Sequence, residues 1–287
     1  MRSFSTGVVT LLAAAAVSSA TEAQTLRVMK SLDAPHYDGQ RTTWSPTSDI
    51  VNMFQDTLVA LDWDGKTAIP YLAKSWTISE DGKTYTFKLR DDVTFCSGKK
   101  FTAADVIYSF KRLKDPETKA PYAWRAGDIK ELRAPDPYTV QYELNEPYSE
   151  LLLQLTMYTN AIHNKESVES LGKDYGIKGI DGTGPWCFES WQPRTEIVLK
   201  RHDAYKWGPS MYKNKGPVKF DKLSIKIVPE DASRVAAIMG GQFDLTHQVP
   251  LQFIDQVKSA PTLTVQEAKP NFQLMYYGYK ISRPMVA

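Results

Sequence analysis

The chain has 287 residues, of which 42% are hydrophobic and 24% charged, an ordinary globular balance with apolar material for one large or two ordinary domains. Its formal net charge is +2, and no Lys/Arg run interleaves with its aromatics, which argues against a nucleic-acid surface. Its cysteines and histidines lack the Cys-x₂-Cys and His-x₃-His spacings of a zinc site, so neither a metal nor a cofactor is expected.

The first 23 residues read as a secretory signal peptide. Arg2 supplies the positive start, residues 7–17 form a short apolar core, and small residues at 18–20 and 21–23 offer cleavage sites. The apolar core is too short to span a bilayer. No cysteine follows it directly, so a soluble periplasmic protein, not a lipid-anchored one, is expected. In an oxidising compartment Cys96 and Cys187 are candidates for a disulfide, with two buried free thiols as the alternative.

Residues 25–30 (TLRVMK) read as the first strand of the mature chain. A long loop over 31–46 follows, holding Asp33, His36, Thr42, Trp44 and Ser45. Thr47 or Ser48 is expected to cap a helix whose apolar face holds Ile50, Val51, Phe54 and Leu58. A loop between a first strand and a helix is a common ligand-facing place in α/β proteins. Trp44 reads there either as a ligand platform or as a packed loop aromatic.

Trp76 and Ile78 form a short strand before the turn Ser79-Glu80-Asp81-Gly82, and Tyr85, Phe87 and Leu89 alternate on the far side as a strand with one buried face. Thr102 and Asp105 form a capping-box start for a helix with Ala103, Val106, Ile107 and Phe110 on one face. Tyr122 and Trp124 sit in a Pro-bounded loop, where the residues alone suggest packing of one domain on another. Residues 139–144 alternate as a strand, and 147–157 read as a helix burying Leu151, Leu152 and Leu155.

The segment 164–180 reads as polar and Gly-containing, leading to Gly182-Thr183-Gly184-Pro185-Trp186. Its glycines allow close backbone approach, but no Lys-Ser/Thr follows as in a phosphate loop. Strands are expected around 190–200 and 223–227, then a helix capped by Asp231 and stopped by Gly240-Gly241. A short helix over 251–257 and strands over 262–267 and 273–279 complete the reading.

No catalytic constellation emerges. His36, His163, His202 and His247 are scattered, without a Gly-x-Ser-x-Gly nucleophile pattern. The acidic pairs Glu80-Asp81, Asp91-Asp92 and Glu230-Asp231 are adjacent in sequence, and neighbours on a strand point to opposite faces.

The order of parts from 65 to 106 carries a family resemblance. Gly65 to Trp76 matches hydrophobic-Gly-x-x-x-Pro-x-Leu-Ala-x-Ser-Trp, Ser79 to Arg90 matches Ser-x-Asp-Gly-x-x-Tyr-x-Phe-x-Leu-Arg, and Phe95 to Val106 matches Phe-x-x-Gly-Lys-x-Phe-Thr-Ala-x-Asp-Val. Gly182 to Trp186, the aromatic turn at 203–208 and the Gly-x-hydrophobic-Asp run at 241–244 fit the same pattern. The chain resembles the family 5 extracytoplasmic solute-binding proteins of peptide, nickel and opine ABC importers.

The resemblance implies an α/β, periplasmic-binding-protein-like (class II type) fold. Residues 24–55 and 184–287 would form a discontinuous first lobe, 56–183 an inserted α+β subdomain, and the second lobe would be largely missing from this chain. It implies capture of a solute in an interlobe cleft by a non-enzyme, with Thr42, Trp44, Ser45, Tyr122, Trp124, Thr183 and Gly184 on the first-lobe side. The solute would be a peptide, an opine or an oligosaccharide, the partner an ABC permease, and the protein a monomer. Cys96-Ser97 in place of the usual His-Asp suggests a distinct subgroup. The competing readings are a secreted hydrolase of peptides or glycans and a periplasmic peptide-binding chaperone or sensor partner.

Overall fold

The computed structural model describes residues 24–246 and 249–266. The signal-peptide reading, His247 and the strand expected at 273–279 lie outside these residues. Among the described residues no helix is long and apolar enough to cross a membrane.

The first strand, β1 (Thr25–Lys30), alternates Leu26 and Val28 on one face with Arg27 and Met29 on the other. It leads through the 31–44 loop to α1 (Ser45–Phe54). The helix begins three or four residues earlier than a cap at 47 or 48 would place it. Trp44 stands at the N-cap without a side-chain cap bond and Pro46 occupies the first turn, where its missing N–H costs nothing. The Thr47 hydroxyl instead donates to the His36 carbonyl and that of Ser48 to the Ser45 carbonyl.

Two short strands, β2 (Val59–Leu61) and β3 (Ala68–Pro70), form a hairpin. Then β4 (Ala73–Ile78) and β5 (Thr84–Leu89) pair antiparallel around Gly82, whose φ of 70° is the conformation the Asp-Gly turn requires. Tyr85, Phe87 and Leu89 are all buried, as their alternation demands. In α2 (Ala103–Lys114) the capping box is complete: Thr102 and Asp105 satisfy each other's backbone N–H groups. Strands β6 (Ile129–Asp136) and β7 (Thr139–Leu144) complete a four-stranded sheet of order β4-β5-β7-β6.

The Leu-rich run after Pro147 is shorter in helix than its pattern suggests. Only α3 (Leu151–Gln154) is helical, and tight turns carry the chain onward from Leu155. Leu151 and Leu155 are nonetheless buried. The polar segment after Asn164 contains a helix, α4 (Lys165–Leu171), capped by the Asn164 side chain.

Next come β8 (Trp186–Gln192), β9 (Glu196–Arg201) and β10 (Lys222–Ile227), then α5 (Asp231–Met239) and β11 (Leu245–Thr246). The cap of α5 is Glu230, whose carboxylate accepts from the N–H groups of Ala232 and Ser233. Asp231 lies inside the first turn and pairs with Arg234. A 3-10 turn at Leu251–Phe253 runs into α6 (Ile254–Lys258), so the helix expected at 251–257 is split. Residues 262–266 form no strand.

The second sheet has the order β11-β1-β10-β9-β8, with β1 parallel to β10 and β11, and with β8, β9 and β10 antiparallel. Two apolar cores accompany the sheets. One joins Phe87, Phe110, Tyr142 and Leu151 over the four-stranded sheet and also takes in Tyr205 and Trp207. The other packs Phe54 and Ile50 against Ile197, Leu199, Leu223 and Ile225, and takes in Tyr158 and Tyr175. The Cys96–Cys187 disulfide links the loop after β5 to β8.

Candidate functional site

The loop after β1 is fixed from three directions. The Asp33 carboxylate accepts from Tyr37 Oη (3.1 Å), Trp191 Nε1 (3.2 Å) and the Arg194 backbone N–H (2.6 Å), which pins the loop to the β8–β9 turn. Further along, Arg112 of α2 holds Asp38 through a fork of 3.2 and 2.5 Å and donates to Gln40 Oε1 at 2.6 Å. Burial pushes the Asp38 carboxyl upward, but the guanidinium outweighs it and holds the carboxyl below its ordinary range. Near the loop's end, Thr42 is buried and its carbonyl accepts from Tyr158 Oη at 3.1 Å.

A surface follows from this frame. Trp44 is 49% exposed, its backbone N–H bound to Thr42 Oγ1 and its indole N–H to the Asp33 carbonyl. Ser45 beside it is exposed. On the other side of Tyr158, the 3-10 turn at Ala123–Ala126 presents Tyr122, Trp124 and Arg125. Tyr158 is raised in pKa by burial first and by neighbouring Tyr122 second, with Arg125 opposing. The Arg125 guanidinium lies 4.7 Å from the Tyr122 ring centre and 4.9 Å from that of Trp124. Thr42, Tyr122 and Trp124 therefore belong to one neighbourhood, organised by Tyr158 and Arg125. Neither of those two residues stands out in the sequence, because the contacts that single them out are non-local.

Thr183 and Gly184 stand elsewhere and are buried. The Thr183 carbonyl accepts from Trp207 Nε1 at 3.0 Å. A Cβ on Gly184 would come within 2.7 Å of the Phe54 backbone, so this glycine serves close packing of chain on chain. Next to them Asp56, wholly buried, accepts from Tyr71 Oη and Trp207 Nε1. Burial pushes its carboxyl up to about 6 against the lowering effect of those bonds.

A cavity of about 560 Å³ opens on the five-stranded sheet beside α1, among Val28, Ile50, Met53, Tyr71, Tyr212 and Ile225. None of the sequence-derived candidates lines it. Its lining is largely hydrocarbon, and Lys30, which faces it, is already paired with Asp49 at 2.6 Å. The aromatic surface around Tyr158 is the better candidate for solute recognition, because it presents hydrogen-bonding aromatics and a cation together.

Among the described residues the histidines offer no reactive site. His163 is fully buried, and burial, followed by the Arg112 charge, lowers it to about 3. Burial also lowers His36 and His202. A ring nitrogen of His202 and the two cysteine sulfurs lie within 4.8 Å of one another, but the sulfurs are bonded to each other.

The chain belongs to the bacterial extracellular solute-binding proteins, family 5, whose middle-region model matches residues 67–287. It is 31% identical over 263 residues to di/tripeptide-binding protein 3 of Pseudomonas aeruginosa (strain UCBPP-PA14), covering 84% of this chain and 47% of that protein. It is 30% identical over 230 residues to the nickel-binding periplasmic protein of Escherichia coli (strain K12), covering 76% and 41%. The chain thus spans about half the length, or less, of these relatives.

Among solved structures, the binding protein AgaA of A.tumefacien R10 in complex with agropinic acid superposes with a TM-score of 0.73 at 26% identity, over 83% of this chain and 46% of that one. The DppA protein of Helicobacter pylori in complex with the peptide STSA gives a TM-score of 0.69 at 27% identity, over 83% and 49%. The α/β binding-protein fold expected from the sequence is the fold observed.

Proposed function

We propose that this chain is the first-lobe portion of the periplasmic solute-binding component of an ABC importer, and that it captures a peptide, an opine or a related small solute. The observation that carries the reading is the convergence of Thr42, Tyr122 and Trp124 around Tyr158 and Arg125, next to the exposed Trp44. The aromatic faces supply contact area at low entropic cost, which suits an extended peptide held mainly through its main chain.

In this reading residues 24–55 and 184–287 form the first lobe, 56–183 the inserted subdomain, and residues 1–23 are removed on export. A second lobe closes over the solute, which favours the closed state by touching both sides. The loaded monomer then docks on its permease. Thr183 and Gly184 act here as the packed crossing between lobe and subdomain, while Trp44 and Ser45 provide the rim. The mode of action is binding without turnover.

Native mass spectrometry on protein recovered from the periplasm tests this reading. A mature mass starting after the signal segment, carrying a small molecule lost on denaturation, is the expected result. A chain that keeps residues 1–23 in the cytoplasm, or that shows no bound or added solute by mass and no thermal shift, would remove it.

A further inference from the structure

We infer that Arg125 is the anion-recognising group of this surface, so that the captured solute presents a carboxylate or an equivalent anion to it. The inference rests on the solute-capture reading above and narrows it to a chemical class.

The argument starts from how the chain treats its other sheltered arginines. Arg90 pairs with Asp92, Arg112 with Asp38, Arg201 with Asp221 and Arg234 with Asp231. Arg125 is likewise partly buried, yet among the described residues no carboxylate lies in ion-pair contact with it. Its single side-chain hydrogen bond runs from Nη1 to the neutral amide oxygen of Gln154, at 2.7 Å. Its Nε is enclosed without a partner. Glu150 reaches it only indirectly, by accepting from the far end of the same Gln154 amide at 3.4 Å.

A partly desolvated cation without a counter-charge is costly. The Tyr122 and Trp124 faces hold the cation without neutralising it. They also set the plane of the guanidinium, which leaves its remaining terminal donors as a preformed fork for a carboxylate. Trp124, 56% exposed, opens the platform to solvent. A purely structural role at this position would be met by an uncharged side chain bonded to Gln154. A positive charge held against two aromatic rings, with no carboxylate partner among the described residues, is what recognition of an incoming anion requires.

The test uses isothermal titration of the mature protein with two acids, Met-Leu and agropinic acid, each paired with a version lacking that charge, Met-Leu amide and agropinic acid methyl ester. At least one acid is expected to bind about 10- to 100-fold more tightly than its counterpart, the range of a charge-assisted bond. In the Arg125→Gln variant that preference is expected to vanish while affinity for the uncharged probe stays level. Arg125→Lys, which keeps the charge but not the fork, is expected to retain part of it. Equal binding of acid and counterpart by the natural protein, or a preference that survives in folded Arg125→Gln, would overturn the inference and leave solute capture standing. Silence from all four probes would remove the solute-capture reading and this inference with it.

Discussion

Trp207 donates its indole N–H to Asp56 at 3.0 Å, across 151 residues of sequence. The bond ties the aromatic turn after β9 to the segment leaving α1, at the place where the two apolar cores meet. Tyr71 closes the arrangement by donating to the other oxygen of the same carboxylate and sharing a 3.0 Å bond with the Tyr205 hydroxyl. One buried acid therefore organises side chains from two other stretches of the chain, around Tyr71 and around Trp207.

That acid gives the protein a measurable pH response. Burial raises the Asp56 pKa to about 6. Below the ordinary Asp pKa both folded and unfolded chains hold the proton, and above about 6 both have lost it. Between these limits the folded state binds the extra proton, so this group's contribution to stability falls as pH rises from about 4 to about 6, by about 3 kcal/mol in all. In Asp56→Asn this slope is expected to disappear, so that denaturant titrations show it as a pH-dependent difference between natural protein and variant. An unchanged slope would show that another group carries it.

Thr102→Ala removes one half of the capping box of α2. The expected loss is about 1 kcal/mol, read as a lower denaturation midpoint at unchanged m-value. The Asp105 carboxylate, which also accepts from Lys99 at 2.7 Å, keeps its second partner, so the helix itself should persist by circular dichroism.

This cap was legible in the sequence because it is local: Thr, then Asp three residues on, then an apolar face. The Asp81-Gly82 turn and the alternation of Tyr85, Phe87 and Leu89 were legible for the same reason. Where two neighbouring residues could each cap, the reading slipped by a residue or more. Glu230, not Asp231, caps α5, and Pro46 lets α1 begin before Thr47. The Leu-rich run after Pro147 kept its burial but not its helix length, because Leu151 and Leu155 are buried whether helix or tight turns carry the chain between them. Of the candidate site, the aromatics Tyr122 and Trp124 could be picked out by residue type and family pattern. Arg125, Tyr158 and Asp56 could not, since what distinguishes them is a partner far away in sequence.

Gly184→Ala tests whether the crossing segment is packing or binding machinery. The new Cβ would sit 2.7 Å from the Phe54 Cα and carbonyl carbon, where backbone must yield. A loss of about 3 kcal/mol or more in stability is expected, with a matching fall in soluble yield. A variant that stayed as stable as the natural protein but lost solute affinity would move Gly184 from the packed crossing to the ligand surface.

The Cys96–Cys187 bridge closes a separation of 91 residues and ties the loop after β5 to β8. Unreduced, denatured protein is therefore expected to show no free thiol in a colorimetric assay. Replacing both cysteines by serine should cost up to about 4–5 kcal/mol through the restored freedom of the unfolded chain. The loss should appear in equilibrium unfolding, with the far-ultraviolet spectrum of the folded variant unchanged, because the same crossing is held independently by the Gly184 N–H to the Phe54 carbonyl (3.1 Å) and the Cys96 N–H to the Gly182 carbonyl (2.9 Å). A double variant as stable as the natural protein would show that these bonds, together with Asp56 and Trp207, already hold the crossing segments together without the bridge.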